Sequence, residues 1–421
     1  MIETITLFPG ITLRTCRDTR FKQGCLSLQL VRQMNREESA LNALLPSVLL
    51  RGTNRHPNLR SITEHLDELY GAAVSPVVRR IGDYQTTGLY CGFMDDRFAL
   101  PGDQVLAPML AFLEEVLLDS HLENGAFLPA FVESEKKNLI STIESEMNDK
   151  RIYAMNRLLR VMCKGDTFGL PRLGDKEQVS AITPQSLYEH YQKILRTSPI
   201  EIFYVGSADS QMVAQLLRPM LEKLSREPVA LAPQTGFGAC EGSNEVETMD
   251  VAQGKLCMGF TTPITNRMKE FPAMQVMNTI LGAGMTSKLF VNVREKMSLC
   301  YSIGSGYYGT KGIVTVSAGI DFDKEEVTRQ EVLRQLQLCK DGEISRQELE
   351  SARQALLSSL RGTHDSPGAI EGYYATANLS GMNMTPNEYM AAVEAVTRDD
   401  VVAAANTLQL HTTYFLRGGN P

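Results

Sequence analysis

The hydrophobic and polar positions along the chain describe one order of elements twice. In the first half Leu26-Ser-Leu-Gln-Leu-Val31 alternates as a strand does, and Ser39 to Leu50 then reads as a helix. In the second half Lys255-Leu-Cys-Met-Gly-Phe260 predicts a strand, and Phe271 to Leu281 predicts the helix after it. A Gln-Gly pair, at Gln23-Gly24 and Gln253-Gly254, precedes each strand. Each half then contains a long charged helix, including Phe131 to Met147 in the first and Ser345 to Leu360 in the second. Each closes on a Thr-led helix and an apolar strand: Thr183 onwards with Ile200-Glu-Ile-Phe-Tyr-Val205, and Thr397 onwards with Thr413-Tyr-Phe-Leu416. Thr183 and Thr397 suit N-caps, since a hydroxyl accepts a free N–H of the first turn. Pro184 suits the first helical position.

This repetition predicts a tandem duplication. Strands mixed with long helices make each copy an α+β layer pair. The segment 226–245 contains Pro228, Pro233, Gly236, Gly238, Gly242 and Ser243, a loop composition, and reads as the linker between domains 1–225 and 246–421.

Composition narrows the function. Hydrophobic residues make up 43% and charged residues 22% of the 421, the profile of a globular protein with sizeable cores. The net charge of −7 disfavours general nucleic-acid binding, which needs a basic surface to neutralise phosphates. No stretch approaches the ~20 apolar residues of a membrane span. The N-terminus lacks the basic and apolar regions of a signal peptide. The eight cysteines are scattered without any C-x-x-C, so they read as reduced, mostly buried thiols of a cytoplasmic protein.

Several motifs promise chemistry and fall short of it. Gly304-Ser-Gly306-Tyr-Tyr-Gly309 matches G-x-G-x-x-G, but β-branched residues follow where a nucleotide site needs a helix N-terminus. Two strands joined by a glycine-rich turn explain it better. No G-x-S-x-G and no H-E-x-x-H occurs, and no two of the six histidines lie within five residues of each other. His65-Leu-Asp-Glu68 has Leu69 where a second zinc histidine would stand. Glu64, His65, Asp67 and Glu68 therefore read as a solvated helix face. The run Glu133, Glu135, Glu144, Glu146 and Asp149, with Lys136 and Lys137, reads as a solvated, salt-bridged helix.

Two further segments resemble the insulinase/pitrilysin family of zinc metallopeptidases. Ala43-Leu-Leu-Pro-Ser47-Val-Leu-Leu-Arg-Gly-Thr53 resembles the family's zinc helix, which reads H-x-x-E-H, a short apolar stretch, then Gly-Thr. Ser287-Lys-Leu-Phe-Val-Asn-Val-Arg-Glu-Lys-Met-Ser-Leu-Cys-Tyr-Ser302 is similar to S-x-L-F-x-x-[IV]-R-E-K-x-x-L-x-Y-S of the family's second domain, the more specific match. The duplicated order fits over the whole chain, most like the short bacterial YmfF-like members that lack H-x-x-E-H. The resemblance implies two homologous domains, each a mainly antiparallel sheet with helices packed on it, as in mitochondrial processing peptidase.

Aligned on Gly52-Thr53, the two histidine positions fall on Ala43 and Ser47, and the catalytic Glu position falls on Pro46. The third ligand, in the frame of Glu135-Lys-Lys-Asn-Leu-Ile-Ser-Thr-Ile143, falls on Thr142. All three ligands and the general base are replaced, so the resemblance implies no metal, no cofactor and no activated water. Pro46 within a helix also denies a donor to the Asn42 carbonyl and crowds it. Arg294 and Tyr301 remain; in active relatives this pair is implied to hold the substrate backbone. The expected function is a non-catalytic, peptide-binding subunit, either self-associated or partnered by an H-x-x-E-H homologue. The rivals are a scaffold without peptide binding and an active metallopeptidase with unrecognised ligands.

Overall fold

The computed structural model describes residues 2–238 and 240–419. The first half of the chain runs β1 (Ile2–Phe8), β2 (Ile11–Arg17), β3 (Gln23–Gln33), α1 (Ser39–Leu49), α2 (Leu59–Glu68), β4 (Ala73–Ile81), β5 (Tyr84–Met94) and α3 (Leu106–Leu118). Two short strands, β6 (Leu122–Glu123) and β7 (Ala126–Phe127), lead into α4 (Pro129–Asn148) and α5 (Lys150–Met162). Then come α6 (Lys176–Ala181), α7 (Pro184–Thr197), β8 (Ile200–Gly206) and α8 (Ser210–Glu222). The second half runs β9 (Asn244–Met249), β10 (Gly254–Thr261), α9 (Phe271–Leu281), a π-helix (Leu289–Lys296), β11 (Cys300–Tyr308) and β12 (Ile313–Ile320). It ends with α10 (Glu325–Lys340), α11 (Arg346–Gly362), α12 (Pro367–Ser380), α13 (Pro386–Ala395), α14 (Arg398–Asn406) and β13 (Gln409–Gly418).

The two main sheets have one topology. The first is ordered β1-β2-β8-β3-β5-β4 and the second β9-β13-β10-β12-β11, so β2, β8, β3, β5 and β4 answer to β9, β13, β10, β12 and β11. Among the described residues each of the two sheets has a single parallel pair, β2 with β8 and its counterpart β9 with β13; every other neighbour is antiparallel. The duplication and the mainly antiparallel α+β class follow directly. The first sheet has one strand more, β1. The caps form as their residue types require: Thr183 accepts the Ser186 N–H and Thr397 the Asp400 N–H, each within a reciprocal capping box.

The chain does not divide into the contiguous blocks 1–225 and 246–421. One compact unit comprises residues 1–144, 171–233 and 364–376; the other comprises 145–170, 234–363 and 377–421. The halves thus exchange a helix. In the first unit Leu26, Leu28 and Leu30 of β3 belong to the main core, while Cys25 on the opposite face packs with Val205 and Ile370 of α12. β3 is therefore buried on both faces and not only on one. In the second unit α5 lies on β10 and β13, packing Ala154 and Leu158 against Cys257 and Tyr414. Glycine permits that approach: a Cβ at Gly259 would meet the Met162 sulfur at 2.5 Å.

A carboxylate secures each exchanged helix. Glu371 of α12, 1% exposed, accepts both guanidinium nitrogens of Arg79 at 2.8 Å and the Ser27 hydroxyl at 2.6 Å. Glu247 of β9 accepts Tyr153 of α5 at 2.6 Å, Tyr414 at 2.7 Å and Arg157 of α5 at 3.0 Å. Burial alone would raise the Glu247 carboxyl, but the Tyr153 and Tyr414 hydroxyls and the Arg157 guanidinium hold it below the usual range.

Candidate functional site

Three of the four positions that the sequence resemblance aligns with the zinc site, Ala43, Pro46 and Ser47, lie on α1, which runs unbroken from Ser39 to Leu49 through Pro46. Ala43 and Pro46 are buried and Ser47 is half-buried. Pro46 leaves the Asn42 carbonyl without its helical donor, and the Thr87 hydroxyl of β5 supplies one at 2.6 Å. A side chain from the sheet thus repairs the ladder.

The Asn42 side chain anchors a buried polar chain beside it. The Gln85 amide nitrogen donates to two backbone carbonyls, Ser39 at 3.0 Å and Arg172 at 2.7 Å. Its oxygen must therefore face Asn42, whose nitrogen donates to it at 2.9 Å. The Asn42 oxygen is then left for His190 Nε2, at 2.7 Å, which must be the protonated ring nitrogen. Burial pushes the His190 imidazole down to about 4, so it is neutral at pH 7. Sequence reasoning passed over His190, since no spacing links it to α1.

The fourth aligned position, Thr142, is exposed on α4, its hydroxyl donating to the Asn138 carbonyl at 3.0 Å. Arg51, just after α1, ties the two helices together through Ser134 at 3.2 Å and Glu135 at 3.2 Å. Glu135 is therefore buried and paired rather than solvated. Zinc takes imidazole, thiolate or carboxylate donors. These four positions offer a methyl group, a pyrrolidine ring and two hydroxyls, and the His190 imidazole beside α1 is committed to Asn42. Among the described residues no three His, Cys, Asp or Glu side chains are placed to hold a metal. The residues present do not fit a zinc ion.

In the second unit Arg294 lies on the π-helix and Tyr301 is the second residue of the edge strand β11. The wide turn is visible in the backbone, where Met297 N–H bonds to the Asn292 carbonyl at 3.1 Å. It ends at Ser298, a non-glycine residue at φ +51°, a conformation that costs about 1 kcal/mol or more. The Arg294 guanidinium sits over the Phe290 ring, 4.6 Å from its centroid, with Glu295 3.5 Å away. Tyr301 is 63% exposed and donates to Asp321 at 2.9 Å. That hydrogen bond holds the Tyr301 phenol above its ordinary range. A core role for Tyr301 is excluded by its exposure.

The remaining motifs resolve structurally. Gly304 and Gly306 lie within β11, and strand β12, not a helix, follows the turn after them, so no phosphate cradle forms. His65 is half-buried, its ring stacked on His56 with centroids 4.6 Å apart, while Glu64, Asp67 and Glu68 are solvated as expected. Burial, and next His56, lower the His65 imidazole. All eight cysteines are free. No helix among the described residues is long and apolar enough to cross a membrane.

Comparison with known proteins decides the family. A family model described as "Peptidase M16 inactive domain" matches residues 181–356. "Probable inactive metalloprotease YmfF" of Bacillus subtilis (strain 168) is 30% identical over 409 residues, spanning 97% of this chain and 96% of the relative. The chain belongs to the M16 peptidase family. Among solved structures, a conserved protein from Enterococcus faecalis V583 superposes with a TM-score of 0.92 at 27% identity, over 100% of this chain and 99% of that one. A peptidase M16 inactive domain from Pseudomonas fluorescens gives 0.81 at 16% identity, over 100% and 98%, which supports the fold. Together with the donor set of α1 and α4, these matches make the chain a non-catalytic M16 homologue.

Proposed function

We propose that this M16 homologue is the peptide-binding subunit of a two-chain peptidase, whose partner is a homologous subunit carrying H-x-x-E-H. One observation carries the reading. Arg294 and Tyr301 keep long polar side chains at the surface of the second unit, 40% and 63% exposed, although neither is needed to fill a core. Their setting, a π-helix ended by a strained serine, is the kind of backbone that persists where function requires it. A guanidinium and a phenol both donate to a peptide carbonyl. The free thiols agree with a reducing compartment such as the cytoplasm.

The test is reconstitution with a homologous subunit carrying H-x-x-E-H and measurement of peptide cleavage. If each side chain binds a substrate carbonyl, its loss costs about 1–3 kcal/mol. Tyr301→Phe then slows cleavage ~5- to 150-fold, by the rule of 1.36 kcal/mol per decade. Full activity in both Tyr301→Phe and Arg294→Ala would leave a scaffold role. Absence of any complex with the homologue would leave self-association.

A further inference from the structure

The two sheets differ at one edge. In the first, β1 lies antiparallel on β2 and covers it. In the second, β9 is the counterpart of β2 and has β13 on one side only. The Thr413 N–H bonds to the Ser243 carbonyl and the Gly419 N–H to the Met249 carbonyl. Parallel pairing is evenly spaced, so odd-numbered residues of β9 turn their main chain to β13, while Asn244, Val246 and Thr248 turn theirs outward. Among the described residues no other hydrogen bond engages those outward groups. Val246 at the middle is 57% exposed. Glu245 within the strand, and Glu241 and Asp250 at its two ends, are exposed, with carboxylates in no ion pair or hydrogen bond among the described residues.

We propose that β9 is a docking edge for a basic, extended peptide segment of a partner protein, which adds antiparallel to β9 as β1 adds to β2. Main-chain hydrogen bonds supply the register, and the unneutralised carboxylates select Lys- or Arg-bearing strands. A second copy of this chain is the disfavoured occupant. Two-fold pairing centred on Val246 would set Glu245 against Glu247 twice, like charge opposite like charge. This edge is separate from Arg294 and Tyr301 and does not depend on the peptidase reading.

The experiment titrates the full chain with a fluorescent, acetylated peptide of alternating lysine and valine. A second titration uses the same peptide with alternate amides N-methylated, which keeps the charge and removes ladder donors. Expected results are saturable binding that weakens with salt, and at least about tenfold weaker binding of the methylated peptide. Val246→Pro removes an outward N–H that β13 does not use, and lowers affinity by about the same factor with little change in the unfolding midpoint. Glu245→Lys with Asp250→Lys does likewise, should the proline disturb the strand. Arg294→Ala with Tyr301→Phe leaves this binding unchanged. Equal binding of the methylated peptide, no binding of either peptide, or loss of binding in the Arg294/Tyr301 variant would overturn the proposal. So would a dimer of the free protein that Val246→Pro dissociates, because the occupant would then be a second copy.

Discussion

The two units solve one packing problem with opposite charges. Each sheet receives a helix from the other half of the chain. α12 brings a carboxylate, Glu371, to Arg79 and Ser27, whereas α5 brings Arg157 and Tyr153 to a carboxylate already on β9, Glu247. Apolar contacts such as Ile370 on Cys25, or Ala154 on Cys257, do not distinguish two sheets of the same topology. Charge does. An α5 folded back onto the first sheet would bring Arg157 to a surface holding Arg79, and an α12 on the second would bring Glu371 to a surface holding Glu247. Ion pairs of this kind are weak sources of net stability, so their value to the exchange lies in matching each helix to its sheet, which the charge-reversal variants below test.

The same contrast holds at the degenerate site. Around α1 the degenerate positions are taken up by packing: Ala43 and Pro46 are buried, Thr87 bonds to the Asn42 carbonyl that the proline leaves open, and Gln85 and His190 engage the Asn42 side chain. Around the π-helix nothing has been absorbed, and Arg294 and Tyr301 stay polar and exposed. One region is packed into the core, while the other presents its polar side chains to solvent.

The charge comparison is broken most directly at Glu371. Glu371→Leu leaves Arg79 without its partner and is expected to cost about 3 kcal/mol in denaturant unfolding. Arg79→Glu combined with Glu371→Arg should recover a good part of that loss. A cost of Glu371→Leu within about 0.5 kcal/mol would show that apolar packing alone directs α12.

The α1 network makes a pH prediction of comparable ceiling. His190 is held near 4 in the fold against about 6.5 in the unfolded chain, so between those values the unfolded state binds more protons. Stability should therefore fall as pH drops from about 6.5 toward 4, by at most ~3 kcal/mol at 1.36 kcal/mol per unit. His190→Gln keeps a donor for Asn42 without titrating, and should flatten that limb of the stability profile. An unchanged acid limb in the variant would remove His190 from the account.

A double-mutant cycle sharpens the claim that Thr87 repairs the proline gap. Thr87→Val leaves the buried Asn42 carbonyl unpaired and should cost about 1–2 kcal/mol. In a Pro46→Ala background the residue-46 N–H supplies the helical bond, and the same change should cost measurably less. Equal costs in the two backgrounds would mean that the hydroxyl and the proline are unconnected.

The smallest effects concern the site residues themselves. Tyr301→Phe should leave the unfolding midpoint essentially unchanged, since the phenol is exposed and the ring is kept. Added zinc should leave the midpoint where it is, because a native-state ligand stabilises only in proportion to its occupancy. A zinc-dependent upward shift, with one metal per chain by elemental analysis, would reopen the reading of Ala43, Pro46, Ser47 and Thr142.

Much of this was present in the chain as written. The strand after each Gln-Gly pair, the helix Phe271–Leu281 to the residue and the caps at Thr183 and Thr397 follow from periodicity and local hydrogen bonding, which neighbouring residues determine. That Ala43, Pro46, Ser47 and Thr142 offer no imidazole, thiolate or carboxylate to zinc is likewise a matter of residue identity that no packing could reverse. Tertiary structure alone decided where α5 and α12 go, because an amphipathic pattern says which face of a helix is buried and not which sheet buries it. It turned Glu371 from an ordinary helix charge into a buried latch, and Glu135 from a solvated carboxylate into the partner of Arg51. It brought His190 to Asn42 across 148 positions and stacked His56 on His65. It also left the outer edge of β9 unpaired among the described residues where its counterpart β2 is covered by β1. These features depend on groups far apart in sequence meeting at a few ångströms, where one hydrogen bond or one charge of the right sign decides among arrangements that local preference leaves equal.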